Sequence, residues 1–173
     1  MASTYLYRVP GSTGNRKTWT FSTWFKRSNI SSAQKIFSAK KDSSNNFECY
    51  FNTNDTLAFY HYSSNGGVTD SFLGTNQVFR DCNGWYHLVL AVDTTQGTAS
   101  NRVKMYINGE QVTSFSSASY FNQNYDTYVN TNSYELTIGA NVNNSQYFDG
   151  SMSHIHLIDG TAYDATAFGQ YDA

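Results

Sequence analysis

Two neighbouring stretches, Trp85-Tyr-His-Leu-Val-Leu-Ala-Val-Asp93 and Met105-Tyr-Ile-Asn-Gly-Glu-Gln-Val112, decide the fold of this chain. In the first, alternate residues from Tyr86 to Val92 are apolar and the residues between them are mostly apolar too. This pattern predicts a strand in the middle of a sheet, covered on both faces. In the second, Asn108-Gly109 can adopt the two positive φ angles of a type I′ turn, which predicts a tight β-hairpin.

The same alternation recurs along the chain between clusters of Asn, Gly and Ser, as in sandwiches of short strands. Near the end, Asp164 as an N-cap and Gly169 as a stop predict one helical turn. The sequence therefore predicts a single all-β domain over residues 1–173. Its predicted strands are Thr4–Val9, Thr18–Lys26, Lys35–Ala39, Asn46–Phe51, Thr56–Tyr62, Gln77–Phe79, Trp85–Asp93, Arg102–Ile107, Glu110–Phe115, Tyr134–Gly139 and Ser151–Ile158.

The composition predicts a surface of hydroxyl and amide groups. Asn, Ser and Thr make up about a third of the 173 residues, only 14% are charged, and the formal net charge is −2. Without a cationic patch, nucleic acid is not an expected partner. No apolar run approaches the ~20 residues of a membrane span, so neither membrane insertion nor a signal peptide is expected.

Charge is unevenly distributed along the chain. Basic residues concentrate before Tyr50, and no Lys or Arg follows Lys104. We therefore expect the two ends of the chain to lie together and neutralise each other. The two cysteines, Cys49 and Cys82, are too few for a disulfide framework or a zinc site, and two isolated buried thiols are favoured over a bond between them.

Several pieces resemble, in family order, the LamG-like branch of the concanavalin A-like lectin/glucanase superfamily. They include Thr20-Phe-Ser-Thr-Trp-Phe25, Gly84-Trp-Tyr-His-Leu-Val89, Val103-Lys-Met-Tyr-Ile-Asn-Gly109, Leu136-Thr-Ile-Gly139 and the stretch from Tyr147 to Gly160. Residues 159–169 are further similar to LamG-like proteins of marine bacteriophages. The resemblance implies an antiparallel two-sheet jelly roll in a virion or adhesion setting. Many such proteins continue into further strands, so the chain is either a short natural form or a trimmed domain.

Catalysis of the glucanase kind is not expected. That branch places carboxylates close together on one strand, because a nucleophile and an acid must flank one bond about 5 Å apart. The three glutamates, Glu48, Glu110 and Glu135, lie on separate predicted strands. His154 and His156 share a predicted strand face with Met152 and Ile158, but no third metal ligand is evident and a surface role is favoured.

The candidate ligand-binding residues lie in the long loop after the hairpin: Tyr120, Phe121, Asn122, Asn124, Tyr125, Asp126 and Tyr128. Aromatic rings can lie against the C–H face of a sugar while amides bind its hydroxyls, although the same mixture binds proteins in antibody paratopes. The alternative is that these rings pin the loop to the sheet. Residues 65–67 and 141–146 form further polar loops.

No cofactor is required by the sequence, but calcium is a candidate, because several LamG-like domains hold it at a rim with Asp side chains and carbonyl oxygens. Asp93 at a strand end and Asp149 before Gly150 are the candidate ligands.

The sequence thus predicts a non-enzymatic module that binds a cell-surface or extracellular glycan from the surface of a phage or related virion. Its location would be extracellular after release by lysis. The alternative is a structural virion component, such as a capsid decoration or tail-fibre module, that contacts other virion proteins or further copies of itself. A glycoside hydrolase or lyase is a weaker alternative.

Overall fold

The structure is a computed structural model that describes residues 4–42, 44–64, 68–141, 143 and 145–169, with only the backbone of Val68 and Thr69. The predicted polar loop at 65–67 lies outside the described residues. No described helix is long and apolar enough to cross a membrane. The strands are β1 (Leu6–Arg8), β2 (Thr18–Arg27), β3 (Gln34–Asp42), β4 (Asn45–Phe51), β5 (Thr56–Ser63), β6 (Val68–Val78), β7 (Tyr86–Asp93), β8 (Val103–Ile107), β9 (Glu110–Gln111), β10 (Phe115–Ser119), β11 (Glu135–Ile138) and β12 (Gly150–Asp159).

The strands form two antiparallel sheets. One has seven strands in the order β1-β11-β3-β4-β5-β6-β10, and the other has five in the order β12-β2-β7-β8-β9. Short 3-10 turns occur only at Ala99–Asn101 and Ala165–Phe168 within the described residues. This architecture confirms the predicted all-β class and the concanavalin A-like β-sandwich.

Aromatic side chains from both sheets make the core between them. Phe21 of the five-stranded sheet stacks on Phe37 of the other, with ring centroids 4.4 Å apart. Trp19 meets Phe37 and Phe47 edge-on. Each fully buried ring of this size contributes about 1.5–3 kcal/mol to folding, so this cluster holds the two sheets face to face.

The central position predicted for residues 85–93 is confirmed, because β7 lies between β2 and β8. Its inner row packs in the core, while the outer residues Val89 and Ala91 are buried as well. The outer face is covered because residues 160–169 fold back across it. Thr20 Oγ1 donates to the carbonyl of Thr161 and accepts from the N–H of Tyr163, at 2.7 and 2.8 Å.

The predicted hairpin is also confirmed. Asn108 and Gly109 have φ angles of 51° and 86°, as a type I′ turn requires. The Asn108 side chain accepts the backbone N–H of His87 at 2.8 Å. The turn therefore ties the hairpin to the central strand.

Two strand predictions were wrong at their boundaries. The predicted strand Gln77–Phe79 is the end of the eleven-residue β6, whose polar start carries little apolar alternation. The predicted strand Glu110–Phe115 is divided: β9 stays in the five-stranded sheet, and the chain then crosses to pair β10 with β6. Because β10 is a largely exposed edge strand, its sequence lacks an apolar face.

The N-terminal and C-terminal parts of the described chain do lie together, since β12 pairs with β2. The ion pairs of the described residues, however, all fall between residues 27 and 80, so the expected neutralisation of the basic N-terminal part by C-terminal carboxylates is not made through ion pairs. Cys49 is buried and Cys82 partly buried, and they are not bonded to each other.

Candidate functional site

The outer surface of the seven-stranded sheet carries an aromatic face. Strand register aligns Glu48, Tyr60 and Phe72 across β4, β5 and β6. Tyr62 lies parallel to Tyr60 with centroids 6.1 Å apart, and Phe72 meets Tyr60 edge-on at 6.5 Å. All are partly buried, as is Tyr50 on β4. We call Glu48, Tyr50, Tyr60, Tyr62 and Phe72 the tyrosine face.

The alternation of β4 and β5 explains this face. Phe47, Cys49 and Phe51 point into the core from β4, as Phe59 does from β5. The residues between them must point outward, because side chains alternate along a strand. The outward positions hold Tyr where a solvated sheet face would ordinarily hold small polar or charged residues.

A nearly buried ion pair borders the tyrosine face. Lys35 Nζ lies 2.7 Å from Glu48 Oε2, and the same ammonium sits 3.6 Å from the centroid of the Tyr50 ring. Burial, with the nearby Glu48 and Tyr60, raises the pKa of Tyr50. The Tyr50 hydroxyl therefore stays neutral and can both donate and accept a hydrogen bond.

One polar atom beside this face lacks a partner. Asn46 lies opposite Tyr62 in the register of β4 and β5, and its Oδ1 is buried without a hydrogen-bond partner in the described part of the chain. A buried unsatisfied acceptor costs about 1–3 kcal/mol. If the Asn46 side chain turned outward, a ligand or water hydroxyl could bond to this atom and remove that cost.

No two of the three glutamates, all of which the structure describes, lie close enough together to flank one glycosidic bond. Glu48 is held by Lys35, and Glu135 accepts a hydrogen bond from Thr137. Because β3 separates β4 from β11, the backbones of Glu48 and Glu135 are about 10 Å apart across the sheet. Glu110 belongs to the other sheet. Retaining glycosidases need carboxyl groups about 5 Å apart.

The rings predicted to bind a ligand in the long loop face inward. Phe121 is fully buried and Tyr128 is 6% exposed, while Tyr120 and Tyr125 are partly buried against the core. His61 stacks on Tyr128 at 4.3 Å. This arrangement matches the alternative given above, in which the rings hold the loop against the sheet. Phe121 and Tyr128 offer almost no surface to a ligand.

The exposed polar residues of the loop remain at the rim of the sandwich. Asn122, Asn124 and Asp126 are exposed. Hydrogen bonds to its backbone fix the segment: Asn124 N–H donates to the Thr94 carbonyl at 2.8 Å, and the Arg102 side chain donates through Nη1 to the Phe121 carbonyl at 2.7 Å. Ligand binding by these three side chains stays a prediction.

A polar network buried beneath the loop was not predicted from the sequence. His61 Nδ1 bonds to Asp70 at 3.0 Å, and its Nε2 accepts the N–H of Tyr128 at 3.3 Å. The Tyr125 hydroxyl donates to the same Asp70 oxygen at 2.9 Å. Burial lowers the pKa of His61 and, with Asp70, raises the pKa of Tyr125. The sequence feature that could have indicated this network is spacing: His61 is two residues from Phe59 on β5, so both side chains point toward the core.

The two calcium candidates cannot share one ion. Asp93 pairs with Thr18 at the start of β2, and Asp149 precedes Gly150, which pairs with Arg27 at its end. These ends are about 30 Å apart. The described residues contain no group of three or more His, Cys, Asp or Glu side chains suited to a metal. Calcium binding by either aspartate with carbonyl oxygens stays a prediction.

Asp93 already has partners of its own. Its carboxylate accepts hydrogen bonds from the Thr95 hydroxyl and the Gln96 amide, both at 2.6 Å. Burial works to raise the pKa of Asp93, but these bonds together bring it below the ordinary value. The carboxylate therefore stabilises the turn after β7.

The face predicted for the histidines of β12 was partly wrong. A register shift between Ser153 and His156 interrupts the alternation. Met152 therefore packs against the core, whereas His154 and His156 are exposed.

The chain belongs to the concanavalin A-like lectin/glucanases superfamily, whose family model matches residues 3–165. No curated protein sequence matches it.

Solved structures with similar folds share little sequence identity with the chain. The CBM40 of the Ruminococcus gnavus IT-sialidase is 12% identical, with a TM-score of 0.66 over 98% of this chain and 100% of that one. Domain 4 of AbnA, an extracellular GH43 arabinanase from Geobacillus stearothermophilus in complex with arabinotriose, is 17% identical, with a TM-score of 0.60 over 92% and 77%. Domains LG4-5 of the mouse laminin alpha1 chain are 12% identical, with a TM-score of 0.60 over 92% and 41%. At this identity the likeness concerns the fold.

Proposed function

We propose that this protein is a non-enzymatic glycan-binding module and that the tyrosine face holds the glycan. The observation that carries the proposal is the combination of aromatic rings with the unpartnered Asn46 Oδ1 beside Tyr62. Sugars present C–H faces that can lie on rings and hydroxyls that need hydrogen-bond partners. Asn46 and the Lys35–Glu48 pair supply such partners next to the rings.

The similar structures support this proposal. The Ruminococcus gnavus CBM40 has been solved bound to alpha2,6 sialyllactose and to alpha2,3 sialyllactose, and the arabinanase domain with arabinotriose. Those ligands belong to those proteins. They motivate testing both acidic and neutral glycans on this chain.

The setting we propose is the surface of a phage or related virion, where the module would meet glycans outside a cell. The similarity of residues 159–169 to LamG-like phage proteins and the hydroxyl- and amide-rich composition support this setting. Exposed Asn122, Asn124 and Asp126, beside the turn after β7, would form a separate contact for a glycan at the rim.

A glycan array followed by calorimetric titration of each hit, with calcium and with a chelator, tests the function. We expect Tyr62→Ala and Asn46→Ala each to weaken binding by about tenfold or more, as for central contacts of an interface. Tyr163→Ala is the matched control, because Tyr163 is 42% exposed on the segment that crosses the other sheet, on the opposite side of the molecule from the tyrosine face.

A blank array across bacterial and marine polysaccharides would overturn the proposal. Equal losses with Tyr163→Ala and Tyr62→Ala would overturn the assignment to this face. A chain without glycan affinity that forms a stable oligomer or binds other virion proteins would instead be a structural component.

A further inference from the structure

A second aromatic surface lies on the opposite side of the molecule, on the outer face of the five-stranded sheet. Trp24 is 37% exposed and Trp85 is 44% exposed. The Trp24 indole lies nearly parallel to the His87 ring, with centroids 4.9 Å apart and planes 17° apart. We call the surface formed by Trp24, Trp85, His87, His154, His156 and Phe168 the Trp24 groove.

The segment that crosses this sheet leaves the groove open at one end. Residues 160–169 cover the middle of β2 and β7, and the turn Ala165–Phe168 brings Phe168 to the edge of the covered area. The Phe168 ring centroid lies 6.1 Å from that of His87 and 6.0 Å from that of His156. Trp24 stands just beyond this end.

Three adjoining depressions share Trp24 as a wall. One of about 330 Å³ lies toward the Asn108-Gly109 turn, one of about 390 Å³ toward His154 and His156, and one of about 190 Å³ between Trp24 and Trp85. The two larger ones reach the lower end of the range for small-molecule sites, about 300–1,000 Å³. They suit single small rings better than a folded partner.

The backbone at the groove departs from regular strand geometry. His154 has a φ of 48° at the register shift of β12, and Ser153 pairs with Trp24. Bulges of this kind redirect side chains and occur often beside functional sites. Here the bulge brings both His154 and His156 to the lining of the depression beside Trp24.

The lining indicates the class of ligand. No Lys or Arg of the described residues lines any of the three depressions, and Glu110 is the only acidic side chain among the lining residues. Imidazole nitrogens and the Ser153 hydroxyl can exchange hydrogen bonds with hydroxyls, while the indoles offer apolar faces. An anionic ligand would therefore meet no Lys or Arg side chain of the described lining. Trp24 and His87 belong to β2 and β7, which are paired on both sides, so a peptide strand could not be added to the sheet at the floor of the groove.

We propose that the Trp24 groove is a second ligand site that binds an uncharged sugar residue by stacking on Trp24. With the tyrosine face on the other sheet, the module would hold two glycan chains on opposite sides. The groove does not depend on the tyrosine face, since the two surfaces belong to different sheets.

Indole N–H signals in a nitrogen-15 NMR titration test this site directly. The probes are mannotriose, laminaritriose and arabinotriose, with 3′-sialyllactose as the anionic comparison and a ten-residue polyproline peptide as the peptide comparison. The chain has three Trp. Trp19 is the internal reference, because its buried Nε1–H donates to Thr127 Oγ1 at 3.0 Å. We expect at least one neutral trisaccharide to shift the Trp24 signal and leave Trp19 unchanged.

Variants separate this site from the tyrosine face. Trp24→Ala should weaken binding of the neutral trisaccharide by tenfold or more. Trp24→Phe should keep part of the affinity with an intact fold. Tyr62→Ala should leave the shift of the Trp24 signal unchanged. If no neutral trisaccharide at 10 mM shifts Trp24, the proposal is wrong. A response to 3′-sialyllactose alone or to polyproline alone would equally overturn the assignment to neutral sugar. Loss of the Trp24 response in Tyr62→Ala would overturn the independence of the two sites.

Discussion

His61 and Asp70 are joined across β5 and β6 by a hydrogen bond of 3.0 Å between Nδ1 and Oδ2, in a place that the loop after β10 seals from solvent. The same carboxylate oxygen accepts the Tyr125 hydroxyl of that loop. The second ring nitrogen, Nε2, accepts the backbone N–H of Tyr128. A neutral imidazole with its proton on Nδ1 satisfies all three bonds, whereas an imidazolium would lose the bond from Tyr128.

The first prediction follows from the lowered pKa of His61. The ordinary pKa of a histidine is about 6.5, so below this pH His61 binds a proton in the unfolded chain but stays neutral in the folded chain until the pH reaches its lower folded pKa. The contribution of His61 to stability is therefore complete above pH 6.5 and is lost as the pH falls toward the lower folded pKa. The free energy of unfolding should decline by at most about 1.4 kcal/mol per pH unit for this group.

Urea denaturation at a series of pH values from 7.5 to 5 measures this decline. His87 also has a pKa lowered by burial and by His156, so it adds a slope of the same sign. His61→Gln should remove the contribution of His61 to the slope of the free energy of unfolding against pH and leave the contribution of His87. An unchanged slope in His61→Gln would show that His61 is not held neutral in the folded protein.

A second prediction concerns the role of the loop. Phe121 is fully buried and its ring stacks on Tyr125 with centroids 5.0 Å apart. Phe121→Ala should lower the free energy of unfolding by about 3–5 kcal/mol, as for other buried rings. The control Asn122→Ala, at an exposed neighbour, should change it by less than about 0.5 kcal/mol. If Phe121→Ala instead kept full stability and lost ligand affinity, the ring would be a binding residue.

A third prediction concerns Asp55, whose buried carboxylate bonds to two arginines. Asp55 Oδ1 lies 3.1 Å from Arg27 Nη1, which is itself buried, and Oδ2 lies 3.0 Å from Nε of Arg80, whose side chain is 59% exposed. Asp55→Ala leaves the Arg27 charge buried and should cost about 3–5 kcal/mol. Arg80→Ala removes only a solvated partner and should cost less than about 1 kcal/mol. Thermal and urea unfolding of both variants check the difference; equal losses would refute it.

A fourth prediction concerns the contact between β12 and β2. A methyl group at Gly150 would collide with the backbone carbonyl of Lys26 and approach the Phe148 ring. Gly150→Ala should therefore destabilise the protein by about 1–3 kcal/mol through overpacking. Gly11→Ala, where the added methyl would meet nothing within 4 Å, is the control and should be close to neutral. Chemical denaturation of the pair decides the matter, and a neutral Gly150→Ala would show that the two strands can separate locally.

The aromatic loop shows why part of the candidate site could not be predicted. Its mixture of Tyr, Phe and Asn is compatible with rings exposed to a ligand and with rings packed into the core, because composition does not determine which way a ring points. The direction depends on distant residues: Phe121 packs against Phe59, and Tyr125 reaches Asp70. The tyrosine face was not predicted either, although its outward positions follow from alternation in β4 and β5 once their pairing is known.

The sequence by itself determined the all-β class, the Asn108-Gly109 hairpin and the central position of residues 85–93, because these depend on alternation and on local backbone preference within a few residues. Only the tertiary structure decided which surfaces are open. The fold-back of residues 160–169 over β7, the crossing of the chain between β9 and β10, and the bulge at His154 each depend on partners far along the chain. The exposure of a residue depends on which residues pack against it, and those residues are distant from it in the sequence.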